Sequence, residues 1–534
     1  MCRHGRLIVV GQVDGHLQYQ APEALVRRSG RPKARAKLWQ ARSCVAASSI
    51  HAVHDPRFPA PLDVPYSWRD PGRPIELYTG ELELLDKQGR LAQGAGVVSL
   101  NWGPQPAVLF TIPDQALRRE IGERPRLRIR PLDLRADVHL SSWNRLRGDI
   151  KGIINRAPFP ATQAIRELRF LVANLPFFTG NERLWEERPL PDGGMSRTAW
   201  AGRLTLEGGG WRLVLDSRSD EKETMAGLKE GGGCEVTHTA SLRRRDGKPF
   251  SDADARDGLL ACAHFLGLIA GRWAPPVAAV GLDVSGSIVW RDWNPPNSSP
   301  WRTPLHALDE RHPEALVEAF AGFMRAWKDG LWGQPLLYAI QMYVEANGPV
   351  YAETSLVLAQ AALELISWVR FVEELSMFTP DEFEKVENKA SGRLRELLGW
   401  LDVDPEIPGG LGALAKEARR QQWTDGPHAI DAMRNALVHP SKRFRLEDTD
   451  VHARFELNDS RCGTWSSRFC ESSGTKATTP TGSACGGRAL SRLCRGRRRP
   501  LLGVAHSRRE RAHRFIVDGT EQPLHLEVPP RSRS

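Results

Sequence analysis

AETSLVLAQAALELISWVRFVEELS, residues 352–376, is apolar almost all round at helical spacing and holds neither Gly nor Pro. That is the composition of a helix at the centre of a bundle, not of an amphipathic surface helix. Its exceptions, Glu353, Gln360, Glu364 and Ser367, recur at steps of seven, four and three, so at about 100° per residue they fall on one stripe. Buried polar groups need hydrogen-bond partners, so the stripe is expected to face partner side chains, a cleft or another subunit, or else to be an edge open to water.

Outward from this helix the same period continues. HPEALVEAFAGFMRAWKD (312–329), QPLLYAIQMYVEAN (334–347), PDEFEKVENKASGRLRELLGWL (380–401), GALAKEARRQQW (412–423) and PHAIDAMRNALVH (427–439) each read as a helix, joined by short connections that imply antiparallel neighbours. Residues 304–459 are therefore expected to form an all-α bundle, and the absence of a repeat of 20–50 residues argues against a solenoid. Toward the N-terminus the period drops to two: IELYTGELELLD (75–86), VVSLNW (97–102), AVLFTI (107–112), RLRIR (126–130), RLTLEG (203–208), WRLVLD (211–216) and EVTHTASL (235–242) read as half-buried strands. A helix is expected at ATQAIRELRFLVAN (161–174), and another after the capping box formed by Ser251 and Asp254. GLDVSGSIVWRDWNPPNSSPW (281–301) adds a strand and a Trp- and Pro-rich loop before a boundary near 303. The fold class is α+β, with a β-rich mixed domain over 59–303 followed by the bundle.

The formal net charge of +10 suggests a nucleic-acid partner until it is divided along the chain. Residues 461–534 hold 15 Lys and Arg against 5 Asp and Glu, and residues 59–460 hold 49 against 56. The body is acidic overall, so any RNA-binding surface on it has to be a local patch. The tail over 460–534 lacks periodicity and reads as disordered. It is either an Arg-rich arm, densest at Arg495, Arg497, Arg498 and Arg499, or the product of a reading-frame shift near Asp459 that replaced a terminal bundle helix. Residues 1–58 read as a poorly ordered or mis-started segment. The start lacks the long apolar stretch of a secretory signal and no run of 18 apolar residues occurs, which places the protein in the cytoplasm without a membrane span. Eight cysteines without a C-x-x-C pair argue against a zinc site and a disulfide scaffold, so no metal and no cofactor is expected.

The stretch with chemical potential is Met433 to Pro440, MRNALVHP, followed by Ser441, Lys442 and Arg443. Ile430, Met433 and Leu437 are expected to form the core face of its helix, with Asp431, Asn435 and His439 four apart on the opposite side and Arg434 flanking them. Pro440 ends the helix at His439, where an imidazole can serve as acid and base near neutral pH. The same residues also fit a solvated helix face closed by a capping histidine.

On Arg434, Asn435 and His439 the chain resembles the HEPN superfamily, whose ribonuclease members carry Arg, then a polar residue, then His four to six positions after the Arg, on a late helix of a small bundle. The order of a β-rich region and a helical bundle, over roughly 75–457, resembles the anti-phage abortive-infection proteins of the ApeA kind. The resemblance implies a metal-independent endoribonuclease of a bacterial defence or toxin-type system, acting as a homodimer in which two motifs face one cleft. In it Arg434, Asn435 and His439 are catalytic, Lys442 and Arg443 hold RNA phosphates, and the Glu353–Gln360–Glu364 stripe lines the cleft. The alternatives are a non-catalytic HEPN dimerisation scaffold with a ligand-sensing β-rich domain, and a carbohydrate- or peptide-binding sheet carrying Trp211, Trp273, Trp290, Trp293 and Trp301.

Overall fold

The computed structural model describes residues 58–457 apart from 71, 104, 116–124, 143–147, 158, 190–193, 303–312, 386–388 and 440–448. The expectations for the N-terminal segment and for the Arg-rich tail lie outside the described residues.

The first six strands close into an antiparallel barrel: β1 (Ile75–Asp86), β2 (Gly89–Asn101), β3 (Ala107–Gln115), β4 (Arg126–Ile129), β5 (Leu134–Ser142) and β6 (Gly148–Arg156), in the order β1-β2-β3-β6-β5-β4. Alternation decides which side chains fill it: Leu134, Ala136, Val138 and Leu140 of β5 point inward and are buried, while Arg135, Asp137 and His139 point out. The barrel is tight enough that a Cβ at Gly152 would lie 2.5 Å from the Phe110 ring. On the outer wall the carboxylate of Glu83 is covered by Arg90, Arg128 and Arg130, and the hydrogen bond from Arg130 holds its carboxyl below the usual range. Closure into a barrel was not part of the sequence reading, because it depends on β4 pairing back to β1 across about 40 residues of chain.

The second sheet has seven antiparallel strands in the order β13-β12-β7-β11-β10-β9-β8. Its members are β7 (Glu167–Ala173), β8 (Glu182–Pro189), β9 (Met195–Gly208), β10 (Trp211–Ser217), β11 (Val236–Arg244), β12 (Pro276–Leu282) and β13 (Ile288–Asp292), with helices α1 (Glu221–Gly231) and α2 (Asp252–Ala270) between strands. The helix expected over 161–174 is instead the strand β7. AIRELR has helical propensity, but β7 lies between β11 and β12, and pairing on both edges outweighs a local preference worth tenths of a kcal/mol per residue. Its alternation was present in the sequence: Leu168 and Phe170 are buried while Glu167 and Arg169 face outward and pair at 3.1 Å. The helix after Ser251 forms with the expected capping box.

The tryptophans considered as a ligand platform are structural. Trp211, Trp290 and Trp293 are buried, Trp273 donates to Glu345, and Trp301 stacks on the buried Arg272 guanidinium at 3.8 Å.

The C-terminal half is helical, as the sequence implies: α3 (Glu314–Lys328), α4 (Gly333–Ala346), α5 (Ala352–Trp368), α6 (Pro380–Glu384), α7 (Lys389–Leu401), α8 (Gly412–Gln421) and α9 (Gly426–Val438), with a further helical turn over 451–457. The helix expected over 352–376 runs as α5 and then widens into a π-helical turn over Val369–Glu374. Ala352–Glu374 is long and apolar enough to cross a membrane, yet half of its most apolar stretch is buried within the bundle, and Glu353 and Glu364 of its polar stripe pair with Arg454 and Arg393 of neighbouring helices.

The hydrophobic core does not stop at residue 303. Phe320 and Phe323 of α3 pack on Phe265 of α2, with ring centroids 5.0 and 5.4 Å apart, and Ile340 and Val344 of α4 join the same cluster as the barrel and sheet. The β9–β10 turn seats against α3 so closely that a Cβ at Gly208 would lie 2.8 Å from Ala321 Cα. Two smaller clusters hold α5 to α9 together, one around Leu356, Leu414 and Met433 and one around Leu363, Phe371, Phe383 and Leu397. Phe323→Ala is expected to lower stability by about 3–5 kcal/mol, because the side chain is fully buried and the rings around it cannot collapse into the space. Urea unfolding compares the midpoints, and an unchanged midpoint would show that α3 does not hold the two halves together.

Candidate active site on the last helix

The helix α9 begins at a firm N-cap. Asp425 accepts the backbone N–H of His428 at 2.8 Å and receives Arg395 of α7 through two hydrogen bonds of 2.5 and 3.1 Å, so the cap also fixes α9 against its neighbour. The buried face is Ala429, Met433 and Ala436, with Ile430 half-buried between the two small cores. This corrects the expected core face: Met433 belongs to it, but Leu437 is 40% exposed. The helix is rotated by about one position because it packs between α5 and α7, and Ala429 and Ala436 allow that close approach.

The polar residues of the motif form a chain. Arg434 Nη1 donates to Asn435 Oδ1 at 3.0 Å, and Asn435 Nδ2 donates to Asp431 Oδ1 at 2.9 Å. His439 closes the helix, its backbone N–H donating to the Asn435 carbonyl at 2.8 Å while its side chain is exposed. The structure therefore joins Arg434, Asn435 and Asp431 directly and places His439 one turn beyond them. Lys442 and Arg443 lie outside the described residues.

The stripe on α5 meets this chain from the other side. Gln360 and Ser367 are buried, which excludes an edge open to water. Glu353 pairs with Arg454 at 2.7 Å, Gln360 Nε2 donates to Glu364 at 2.8 Å, and Glu364 lies 3.8 Å from Arg393 of α7. Burial raises the Asp431 carboxyl above the usual carboxylate range, Asn435 opposes this through its hydrogen bond, and the negative charge of Glu364 raises it further. Glu364 and Asp431 thus share one electrostatic environment between Arg393 and Arg434. Arg393 was missed in the sequence because nothing in a helix at 380–401 indicates which turn faces α5. A second group also passed unremarked, the run RRRDGK at 243–248, visible as three consecutive arginines in a body that is otherwise acidic.

Residues 160–304 match the family model of the YopA central domain, and residues 329–465 match that of the YopA C-terminal domain. The first takes in the seven-stranded sheet and the second α4 to α9, so the motif lies in the C-terminal match and the barrel lies outside both. The chain is 24% identical over 255 residues to the SPbeta prophage-derived uncharacterized protein YopA of Bacillus subtilis (strain 168), a match covering 47% of this chain and 56% of the relative. The chain therefore spans little more than half the length of that relative. No solved structure matches.

Asp431→Asn keeps an oxygen for Asn435 and removes the buried charge. Because the folded carboxyl is raised, wild type is stabilised by proton uptake at low pH and loses that increment as pH rises from the usual carboxylate range through the raised folded value. The Asn variant is expected to gain stability relative to wild type over that window, read as the difference in melting temperature between pH 4 and pH 8. An increment independent of pH would contradict the raised carboxyl.

Proposed function

We propose that the helical half is a metal-independent endoribonuclease of the HEPN kind, acting as a homodimer in the cytoplasm within a bacterial defence or toxin-type system. The observation that carries this reading is the placement of Arg434, Asn435 and His439 on one late helix, with the imidazole exposed at its end and the guanidinium tied through Asn435 to Asp431. The prophage origin of the Bacillus relative supports the setting, since a resident phage gains from blocking competitors.

The residue types suit transesterification of RNA. A base takes the proton of the 2′-hydroxyl, the 2′-oxygen attacks the adjacent phosphorus, the bond to the 5′-oxygen breaks, and an acid returns a proton to the leaving oxygen. A 2′,3′-cyclic phosphate and a 5′-hydroxyl remain. His439 serves as acid or base, a role worth roughly 10² to 10⁴ in rate. Arg434 presents its planar donors to the phosphorane oxygens. Asn435 is a positioning residue: its oxygen is taken by Arg434 and its amide by Asp431, so it orients the guanidinium instead of touching RNA. One chain supplies one such histidine, and acid and base act on opposite sides of the phosphorus, hence the dimer. The β-rich half, joined to the helices by a common core, is suited to sense or restrain.

The test incubates the full chain with total RNA and labelled tRNA in EDTA. Wild type is expected to leave cyclic-phosphate-ended fragments, and His439→Ala and Arg434→Ala to lose at least about 100-fold in rate while keeping the mass of the wild-type dimer. Equal cleavage by His439→Ala, or abolition by EDTA, overturns the reading. A wild type that dimerises yet cuts nothing favours the scaffold.

A further inference from the structure

The end of β11 carries Arg243 and Arg244 and the turn that follows it carries Arg245 and Lys248, and a cavity of about 590 Å³ opens beside them, lined by Gly210, Arg244, Arg245, Asp246, Lys248 and Pro249. The surroundings add cations. Arg212 is the cross-strand partner of Arg243, Lys328 of α3 reaches over to the Gly209 carbonyl at 2.6 Å, and the Arg166 guanidinium lies 3.1 Å from where a Cβ of Gly247 would sit. Four carboxylates face these seven cations: Glu207 beside Arg212 and Arg245, Asp246 beside Lys248, Asp254 beside Arg244, and Asp257 on the Lys328 side. The cluster holds an excess of three positive charges in a body that is acidic overall.

We propose that this turn and its cavity bind the phosphate backbone of a single-stranded nucleic acid, at a site separate from the α9 motif. Alternation along antiparallel strands puts Arg244 on one face of the sheet, against Trp211, and Arg212 and Arg243 on the other, with Arg245 and Lys248 at the tip. Cations wrapped around a tip fit successive phosphates of a strand better than one phosphate group. The Arg244 guanidinium lies over the Trp211 ring, 4.2 Å from its centroid, and its one described hydrogen bond, to Asp254 at 2.9 Å, uses one of its five N–H donors. Trp211 itself is buried, so the site offers bases no stacking surface and reads backbone rather than sequence. Burial and the nearby Arg244 lower the affinity of Lys328 for its proton, the mark of crowded cations that an anion would relieve. The inference stands independently of RNA cleavage.

The experiment measures fluorescence anisotropy of labelled 20-nucleotide single-stranded RNA and DNA with the full chain, as a function of salt. The test variant is Arg245→Glu with Lys248→Glu, two exposed residues at the tip. The control, Lys222→Glu with Lys229→Glu on exposed α1, changes net charge equally. The tip variant is expected to weaken binding about tenfold or more at 50 mM salt and to lower the slope of log K against log salt by about 1.4, two phosphate contacts at roughly 0.7 each. The control should bind as wild type does. A tip variant with wild-type affinity and slope places binding elsewhere, such as the Arg-rich tail, and overturns the site. Equal losses in both variants reduce it to a net-charge effect and also overturn it. Displacement of the strand by UMP at matched phosphate concentration would make it a mononucleotide pocket and overturn the strand reading. The DNA strand lacks the 2′-hydroxyl that the cleavage reaction needs, so its binding is read without any contribution from cleavage, and failure of the nuclease reading and failure of this one are separable.

Discussion

Phe320 and Phe323 on α3, packed against Phe265 of α2, are the contact on which the architecture turns. Through them the apolar core that begins inside the barrel and continues under the seven-stranded sheet extends to α3 and α4. The energetic weight of buried aromatic side chains, each worth several kcal/mol, makes this junction part of the fold rather than a hinge between modules. The two helices are thus sheet-associated in packing while they continue the helical half in sequence. On its other side α4 packs along α5, its nearest helical neighbour.

Beyond that junction the bundle is organised by polar groups as much as by apolar ones. Gln360 and Glu364 of α5 meet Arg393 of α7, Asp431, Asn435 and Arg434 are joined along α9, and the charge of Glu364 is felt at Asp431. Placing two carboxylates and two guanidiniums there costs desolvation, which pairing offsets only in part. What such an arrangement contributes is orientation: in a medium less polarisable than water a fully hydrogen-bonded side chain has few alternatives. Arg434 is tied to this group through its hydrogen bond to Asn435, which is itself fixed to Asp431. His439, by contrast, is exposed at the helix end, where a second chain or a substrate can reach it.

Much of this was legible in the residues. Period two separated the strands from the period-3.6 helices, the Ser251 and Asp254 pair marked the start of α2, and the run of helices after residue 312 was visible from the spacing of apolar side chains. The misreadings have specific causes. At 161–174 the alternation of Glu167, Leu168, Arg169 and Phe170 competed with helical propensity, and only two paired neighbours could decide between them. On α9, Ile430, Met433 and Leu437 and the observed Ala429, Met433 and Ala436 are stripes offset by less than one turn. Alanine is a weak hydrophobic signal, and close helix packing is what gives it value.

By itself the sequence determined the class of the fold, its division into a strand-rich and a helix-rich half, and the residues Arg434, Asn435 and His439 as the group with chemical potential, because these follow from local periodicity and from side-chain type. Only the tertiary structure decided that the first strands close into a barrel, that α3 and α4 share the core of the sheet, that Glu364 and Asp431 meet between Arg393 and Arg434, and that RRRDGK sits on a cavity ringed by further cations. Each of these depends on pairing between residues far apart in the chain, which the order of residues permits in many ways and the burial of one common core reduces to one.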